Sequence, residues 1–316
     1  MSGLMAVFWK ELADHFNSRR FIILSLLVYL AGVATIYVAA QNIRSGVTED
    51  THFIFLRLFI VSGETLPFSF PFFLSLFIPI VGIALGFDAV NSERASGNLS
   101  RILSQPLYRD SVINGKFLAG LVTLSILVVS IVILVAGMGL RMIGVPPTAE
   151  EILRLFAFIF VSIIYGAFWM SLAVLFSVFF SRMATSVLAS IALWIFLFLF
   201  MSMLAGVIAG AVVPIDENSS LELIVKNDEI YRTISRISPN TLYGETVQVL
   251  LMPELGNPSS TLMLVSIYTA GMIPTPLPLG QSLLIIWPQL TTLIALTALC
   301  FAGSYIKFMR EEIRST

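Results

Sequence analysis

Six stretches of this sequence run for about 20 residues or more without Asp, Glu, Lys, Arg or His, and that pattern decides what the chain can fold into. They fill Phe21–Ala40, lie within Thr65–Phe87, fill Phe117–Leu140, lie in Leu155–Ser181, run from just after Arg182 to near Pro214, and close with Gln281–Ile306. A hydrocarbon core about 30 Å thick takes roughly 20 helical residues. Inside it every backbone N–H and C=O needs a partner from the chain itself, so such runs are helices. Composition agrees: of 316 residues only 12% are charged and 57% hydrophobic, whereas a soluble domain needs about 25% charge to face water. The expected fold is an all-α integral membrane protein with six transmembrane helices, residues 1–316 forming one transmembrane domain.

The remaining segments are read by length and polarity. Phe53–Val61 is apolar, carries Arg57 and is too short to cross, which predicts an interfacial helix. Ser259–Ile273, followed by Pro274, Pro276 and Pro278, suits a re-entrant or surface segment. In residues 1–20, Met5, Phe8, Trp9, Leu12 and Phe16 recur at helical spacing, while Lys10, Glu11, Asp14 and Asn17 fall elsewhere. This predicts an amphipathic helix in the cytoplasmic interface. Arg19 and Arg20 before an apolar run resemble a signal, but the run exceeds a signal's apolar region of about 7–15 residues, so a retained first span is expected.

Basic residues set the orientation. With six spans both termini share a side, and that side holds Lys10, Arg19, Arg20, Arg94, Arg101, Arg109, Lys116, Arg182, Lys307, Arg310 and Arg314. The other side holds Arg44, Arg57, Arg141, Arg154, Lys226, Arg232 and Arg236 on longer loops. Both termini are therefore expected in the cytoplasm and the chain in the cytoplasmic (inner) membrane.

Several functions are excluded or made remote. A net charge of −1 gives no basic face for nucleic acid. Cys300 stands alone, and His15 and His52 flank an apolar run, so neither a disulfide framework nor a histidine metal site is expected. There is no H-E-x-x-H and no G-x-S-x-G. Gly115-Lys116 lacks the upstream glycine and the following Ser or Thr of a phosphate loop. Spans free of charge offer no proton or ion relay, so energy is expected to enter from another chain. Gly82 with Gly86, and Gly206 with Gly210, form G-x-x-x-G pairs that let helices approach closely, within the chain or between two copies.

The connection from Asp88 to Lys116 holds seven charged residues. Gly97 permits a turn, Asn98 can cap a helix from Leu99 to about Ser104, and Pro106 stops it. Leu99, Ile102 and Leu103 then form a ridge rimmed by Arg94, Arg101 and Arg109, suited to a groove on a soluble partner. Composition alone leaves a solvated connection equally open.

The run from Glu93 to Lys116 reads E-R-x-x-G-x-L-x-x-I-L-S-x-P-L-x-R-x-x-V-I-x-G-K. It closely resembles the first cytoplasmic loop of type-two ATP-binding-cassette (ABC) exporter permeases. The stretch Lys10-Glu11 through Arg19-Arg20 is similar to that family's N-terminal interfacial helix, and Ser238-Pro239-Asn240 to its external Ser-Pro turn. The resemblance implies a half-transporter permease, paired with a second copy or a related chain and with two ABC ATPase subunits. ATP and Mg would be bound by those ATPases, with no cofactor and no catalytic residue in this chain. Leu99, Ile102 and Leu103 would be the docking ridge of a coupling helix. Glu93 and Arg94 would position it, Gly97 and Pro106 would end it, and Arg109 and Lys116 would anchor its return. Arg182, between spans four and five, would be a smaller contact. Residues 215–280 are expected outside the membrane, as a gate or a docking site for an extracytoplasmic partner. The competing readings are a stand-alone channel or secondary transporter, and a non-transporting membrane assembly factor. An apolar interior would suit lipids, lipid-linked polymers or hydrophobic drugs.

Overall fold

The computed structural model describes residues 3–46, 53–61, 68–97, 108–216, 219–253 and 276–310, and among them it is helical with no strand. An amphipathic α1 (Gly3–Asn17) leads at Ser18 into α2 (Arg19–Gly46). Then come α3 (Ile54–Ile60), α4 (Phe70–Gly86), the short α5 (Asn91–Ala95), α6 (Arg109–Ile143) and α7 (Ala149–Phe179). A composite α8 (Met183–Val212) is followed by α9 (Leu221–Ser235), α10 (Pro239–Leu251) and α11 (Leu279–Arg310). Six of these helices are long and apolar enough to cross a membrane: α2, α4, α6, α7, α8 and α11.

The helices outrun their apolar stretches. α6 begins at Arg109 rather than Phe117, and it ends where Gly144, at φ 78°, returns its N–H to the Leu140 carbonyl. α7 begins at Ala149 because Thr148 caps it. The Thr148 hydroxyl accepts from the Glu151 N–H, and the Glu151 carboxylate accepts from the Thr148 N–H. Charged residues thus sit on the spanning helices at their ends.

α7 is the axis of the molecule. Of its most apolar stretch 72% is buried, against 17% for α8 and 11% for α11, whose faces are left to other surroundings. α4 runs parallel to α7 at very short range. A methyl group placed on Gly82 would lie 2.7 Å from the Gly166 carbonyl oxygen, and one on Gly86 2.6 Å from that of Met170. Backbone atoms cannot swing aside, so only glycine allows this crossing. Pro79 in α4 offers no N–H to the Ser75 carbonyl, and Tyr165 Oη of α7 donates to that oxygen at 3.1 Å instead. Gly206 and Gly210 differ: nothing lies within 4 Å of either, while their neighbours Ala205 and Ala209 are buried.

At the end opposite α1, two charged residues tie the elements together. Glu151, 2% exposed, accepts from the N–H groups of Phe55 and Leu56 and so caps α3. Arg154, fully buried, donates to the carbonyls of Leu250 and Leu277, to Ser282 Oγ and to Glu150. It thereby pins the end of α10 to the start of α11. α3 is a helix as its sequence predicts, but Phe55, Leu56, Leu58 and Phe59 are buried in the protein, with Phe59 against Phe70 and Phe158. It is not an interfacial helix lying against lipid.

The described part of the segment after α8 folds back along the spanning helices. α8 widens into a π-helical turn at Phe196–Phe200, and Ser238 Oγ donates to the Leu197 carbonyl there at 2.8 Å. Asn227, near the middle of α9, bonds the Val213 carbonyl at the head of α8. α9 therefore descends beside the far half of α8, and α10 climbs back along α7, with Asn240 beside Tyr165 and Leu250 at Arg154. Tyr243 of α10 stacks on Tyr165 and shares a hydrogen bond with Ser162. Ser259–Ile273 lies outside the described residues.

Gly86→Leu is expected to cost about 3 kcal/mol through forced overpacking against α7. Gly206→Leu, whose added atoms meet nothing in the protomer, is expected to leave it unchanged. Thermal unfolding of the two purified variants in detergent checks the contrast.

Candidate functional site

The residues singled out between Asp88 and Lys116 fall into three groups. Glu93 and Arg94 lie on α5, and Gly97 follows it at φ 68°, a left-handed conformation suited to glycine. Arg109 opens α6, and Lys116 faces inward two turns later. Leu99, Ile102, Leu103 and Pro106 lie outside the described residues, as do Asn98 and Arg101. The 88–116 connection is therefore helical on both limbs.

Both limbs are held at their bases. On the outgoing limb Ser177 Oγ of α7 accepts from the N–H groups of Val90 and Asn91, which fixes the start of α5. Asp88 pairs with Arg20 of α2 at 2.8 Å, and the guanidinium sits over the Phe87 ring. On the returning limb Val7 of α1 packs on Gly115, where a side chain would collide with it at 2.9 Å.

Lys116 joins the limbs. Its side chain is only 8% exposed, and Nζ lies 2.9 Å from Glu11 Oε1 on α1 and 2.9 Å from Glu93 Oε1 on α5. Lys10 adds a second cation, 3.1 Å from Glu11 and 3.9 Å from Glu93. These groups, with Asp14, His15, Arg20 and Asp88, line a cavity of about 470 Å³. Burial alone would raise the Glu11 carboxyl, but Lys116 and Lys10 outweigh it and hold the carboxyl below its ordinary 4.5. Burial pushes His15 below its ordinary 6.5. For Lys10 burial works downward, and the surrounding carboxylates Glu11, Glu93 and Asp14 outweigh it and raise it.

Glu11, Lys10, Asp14, Arg20, Asp88 and Ser177 are the members that the sequence pattern did not single out. The sequence places Glu11 off the apolar side of α1 and names no partner for it. In the structure it faces α6, while Met5, Trp9 and Phe16 are exposed and free to meet lipid. Among the described residues no group of three His, Cys, Asp or Glu is placed to hold a metal ion. The cluster consists of mutually neutralising charges that bind α1, α5 and α6 together.

Six spanning helices with α7 at their axis, and a connection clamped to an amphipathic N-terminal helix, define a polytopic membrane subunit of the permease type. The family model described as ABC-2 family transporter protein matches residues 5–313. The chain belongs to that family and is an ABC transporter permease. Comparison with curated proteins gives no significant match. Family membership implies an ABC ATPase partner and a typically dimeric arrangement.

Lys116→Met leaves Glu11 and Glu93 with Lys10 alone, at 3.1 and 3.9 Å, and is expected to cost about 1–3 kcal/mol, the usual penalty for a group left short of its partner. Lys116→Met with Glu11→Gln should recover part of it, as read from thermal midpoints. Both depressed pKa values also act in one direction. The unfolded chain takes up protons first, so stability falls as pH drops below 6.5 for His15 and again below 4.5 for Glu11. Glu11→Gln should flatten the lower part of that profile, measured as melting temperature against pH.

Proposed function

We propose that this permease is the membrane half of an exporter, driven by ATP hydrolysed on separate ABC ATPase subunits that dock on the 88–116 connection. The observation that carries this reading is the Lys116 cluster. A force on the tip of the connection reaches α1, α5, α6 and α7 together, because Lys116, Glu11, Glu93 and Ser177 bind the limbs to all of them. Closure of an ATPase pair would then tilt the spanning helices as a rigid unit. Leu99, Ile102 and Leu103 supply the ridge that enters the ATPase groove, Arg94 and Arg109 flank it, and ATP and Mg stay in the partner. The excess of Lys and Arg on the α1 side supports cytoplasmic termini and insertion in the cell membrane.

A second copy, or a related chain, completes the transporter. The open face of α8 supports this, since a methyl group placed on Gly206 or Gly210 would meet nothing within 4 Å and Met203 and Val207 are exposed. Stoichiometry follows from symmetry: two permeases present two connections to two ATPases.

The test is co-purification of the permease with its cognate ATPase. Leu99→Asp with Leu103→Asp should abolish both the complex and membrane-stimulated ATP hydrolysis, while leaving the permease folded. A double variant that keeps the complex and coupled hydrolysis overturns the docking assignment.

A further inference from the structure

We propose that Arg236 is a receptor for the oxyanion group, carboxylate or phosphate, of an amphipathic substrate, set in a water-filled path within the outer half of the membrane. The proposal rests on the permease reading above and names the substrate chemistry for it.

Depth comes first. Ser238 bonds the carbonyl of Leu197, the fifteenth of the thirty residues of α8, so the corner between α9 and α10 lies halfway along a spanning helix. Asn240 beside Tyr165, near the middle of α7, places the corner independently at the same level. α9, which descends to that corner, carries Glu222, Lys226, Asp228, Glu229 and Arg232 within 15 residues. Asp228 and Arg232 form an ion pair at 2.6 Å along the way. A helix so charged cannot present this face to hydrocarbon, where ionisable groups line water or protein.

Arg236 stands at the foot of α9, with its side chain 41% exposed. Only its Nε is engaged, 3.1 and 3.0 Å from the two oxygens of Glu245. Among the described residues its two terminal NH₂ groups have no hydrogen-bond partner, which leaves four donors in the planar fork that matches carboxylate or phosphate. Glu245, 10% exposed, is held in turn by Gln289 Nε2 of α11 at 3.0 Å. Gln289 Oε1 is buried without a hydrogen-bond partner among the described residues. Glu245 and Gln289 are positioning residues: they fix the guanidinium plane by one edge and leave the other edge open. Hydrocarbon beside an open guanidinium is excluded, and an amphiphile with its charged head at the guanidinium and its chain in the adjoining hydrocarbon satisfies both surroundings.

Two measurements on the permease–ATPase complex test this, both with Cys300→Ser so that introduced cysteines are unique. The first is the labelling rate of Arg236→Cys and of its neighbour Ile237→Cys by water-soluble, membrane-impermeant thiosulfonates. It is applied to right-side-out and inverted vesicles and compared with Leu188→Cys on an exposed apolar face of α8. Rates at least tenfold above the Leu188→Cys control are expected from the outside. Fast labelling from inverted vesicles alone overturns the orientation of the proposed function while keeping the aqueous path. Rates equal to the control at both positions overturn the path itself. Ile237→Cys keeps Arg236 in place, so it reads out even where Arg236→Cys fails to fold.

The second is stimulation of ATP hydrolysis in lipid nanodiscs by a fatty acid, a lysophosphatidic acid and a monoacylglycerol of the same chain length. The two anions should act at about tenfold lower concentration than the neutral amphiphile, and their difference separates carboxylate from phosphate as the preferred group. Arg236→Gln should erase the advantage, and Arg236→Lys should restore part of it. An anion preference that survives Arg236→Gln, or none in the wild type, overturns the receptor role. Loss of the ATPase from the complex would instead count against the permease reading, and the labelling arm does not depend on it.

Discussion

The pairing of Lys116 with Glu11 and Glu93 is the constraint on which the rest of the N-terminal end depends. Three elements far apart in sequence meet at one buried ammonium, beside an apolar cluster of Val7, Val90, Val112 and Ile113. Burial makes the interaction demanding. An unpaired charge there is costly, so the elements are either joined as a set or the end of the bundle loosens. Such all-or-none coupling is what a force-transmitting joint requires, because a continuously yielding contact would absorb the motion instead of passing it on.

The two ends of the molecule solve the same problem with different chemistry. At the α1 end a lysine gathers carboxylates. At the far end a fully buried arginine gathers carbonyls, and Glu151 caps α3 while closing the box that starts α7. Between them Gly82 and Gly86 allow α4 to lie against α7, and neutral hydroxyls such as Tyr165 on the Ser75 carbonyl and Tyr29 with Ser130 supply the hydrogen bonds.

The spanning helices and their number were legible because a bilayer imposes one length and one polarity on them. Helix ends were less so. Thr148-x-x-Glu151 carries a visible capping signal, yet hydropathy places the start of that span at Leu155, past the charges that belong to the same helix. The inward side of α1 was misread, since Glu11 resembles a solvated residue until its partner 105 positions away is brought beside it. The α9–α10 hairpin was hidden for the opposite reason: a helix with five charged residues reads as external, and only its hydrogen bonds to Leu197 and Tyr165 place it at membrane depth. The loop motif at Glu93–Lys116 was the most specific feature of the sequence, and its two limbs are where the cluster forms.

α1 and both limbs of the 88–116 connection are expected to move as one body when the ATPase closes. Pulsed electron-spin distance measurements address this directly, with labels at Trp9 and Tyr108 in a Cys300→Ser background and the complex held with and without a non-hydrolysable ATP analogue. An unchanged distance between the two labels within a protomer is expected, while the distance between Tyr108 labels of the two permeases shifts by several ångströms on nucleotide binding. A change in the Trp9–Tyr108 distance on nucleotide binding would show that the joint yields, and would contradict motion as one body.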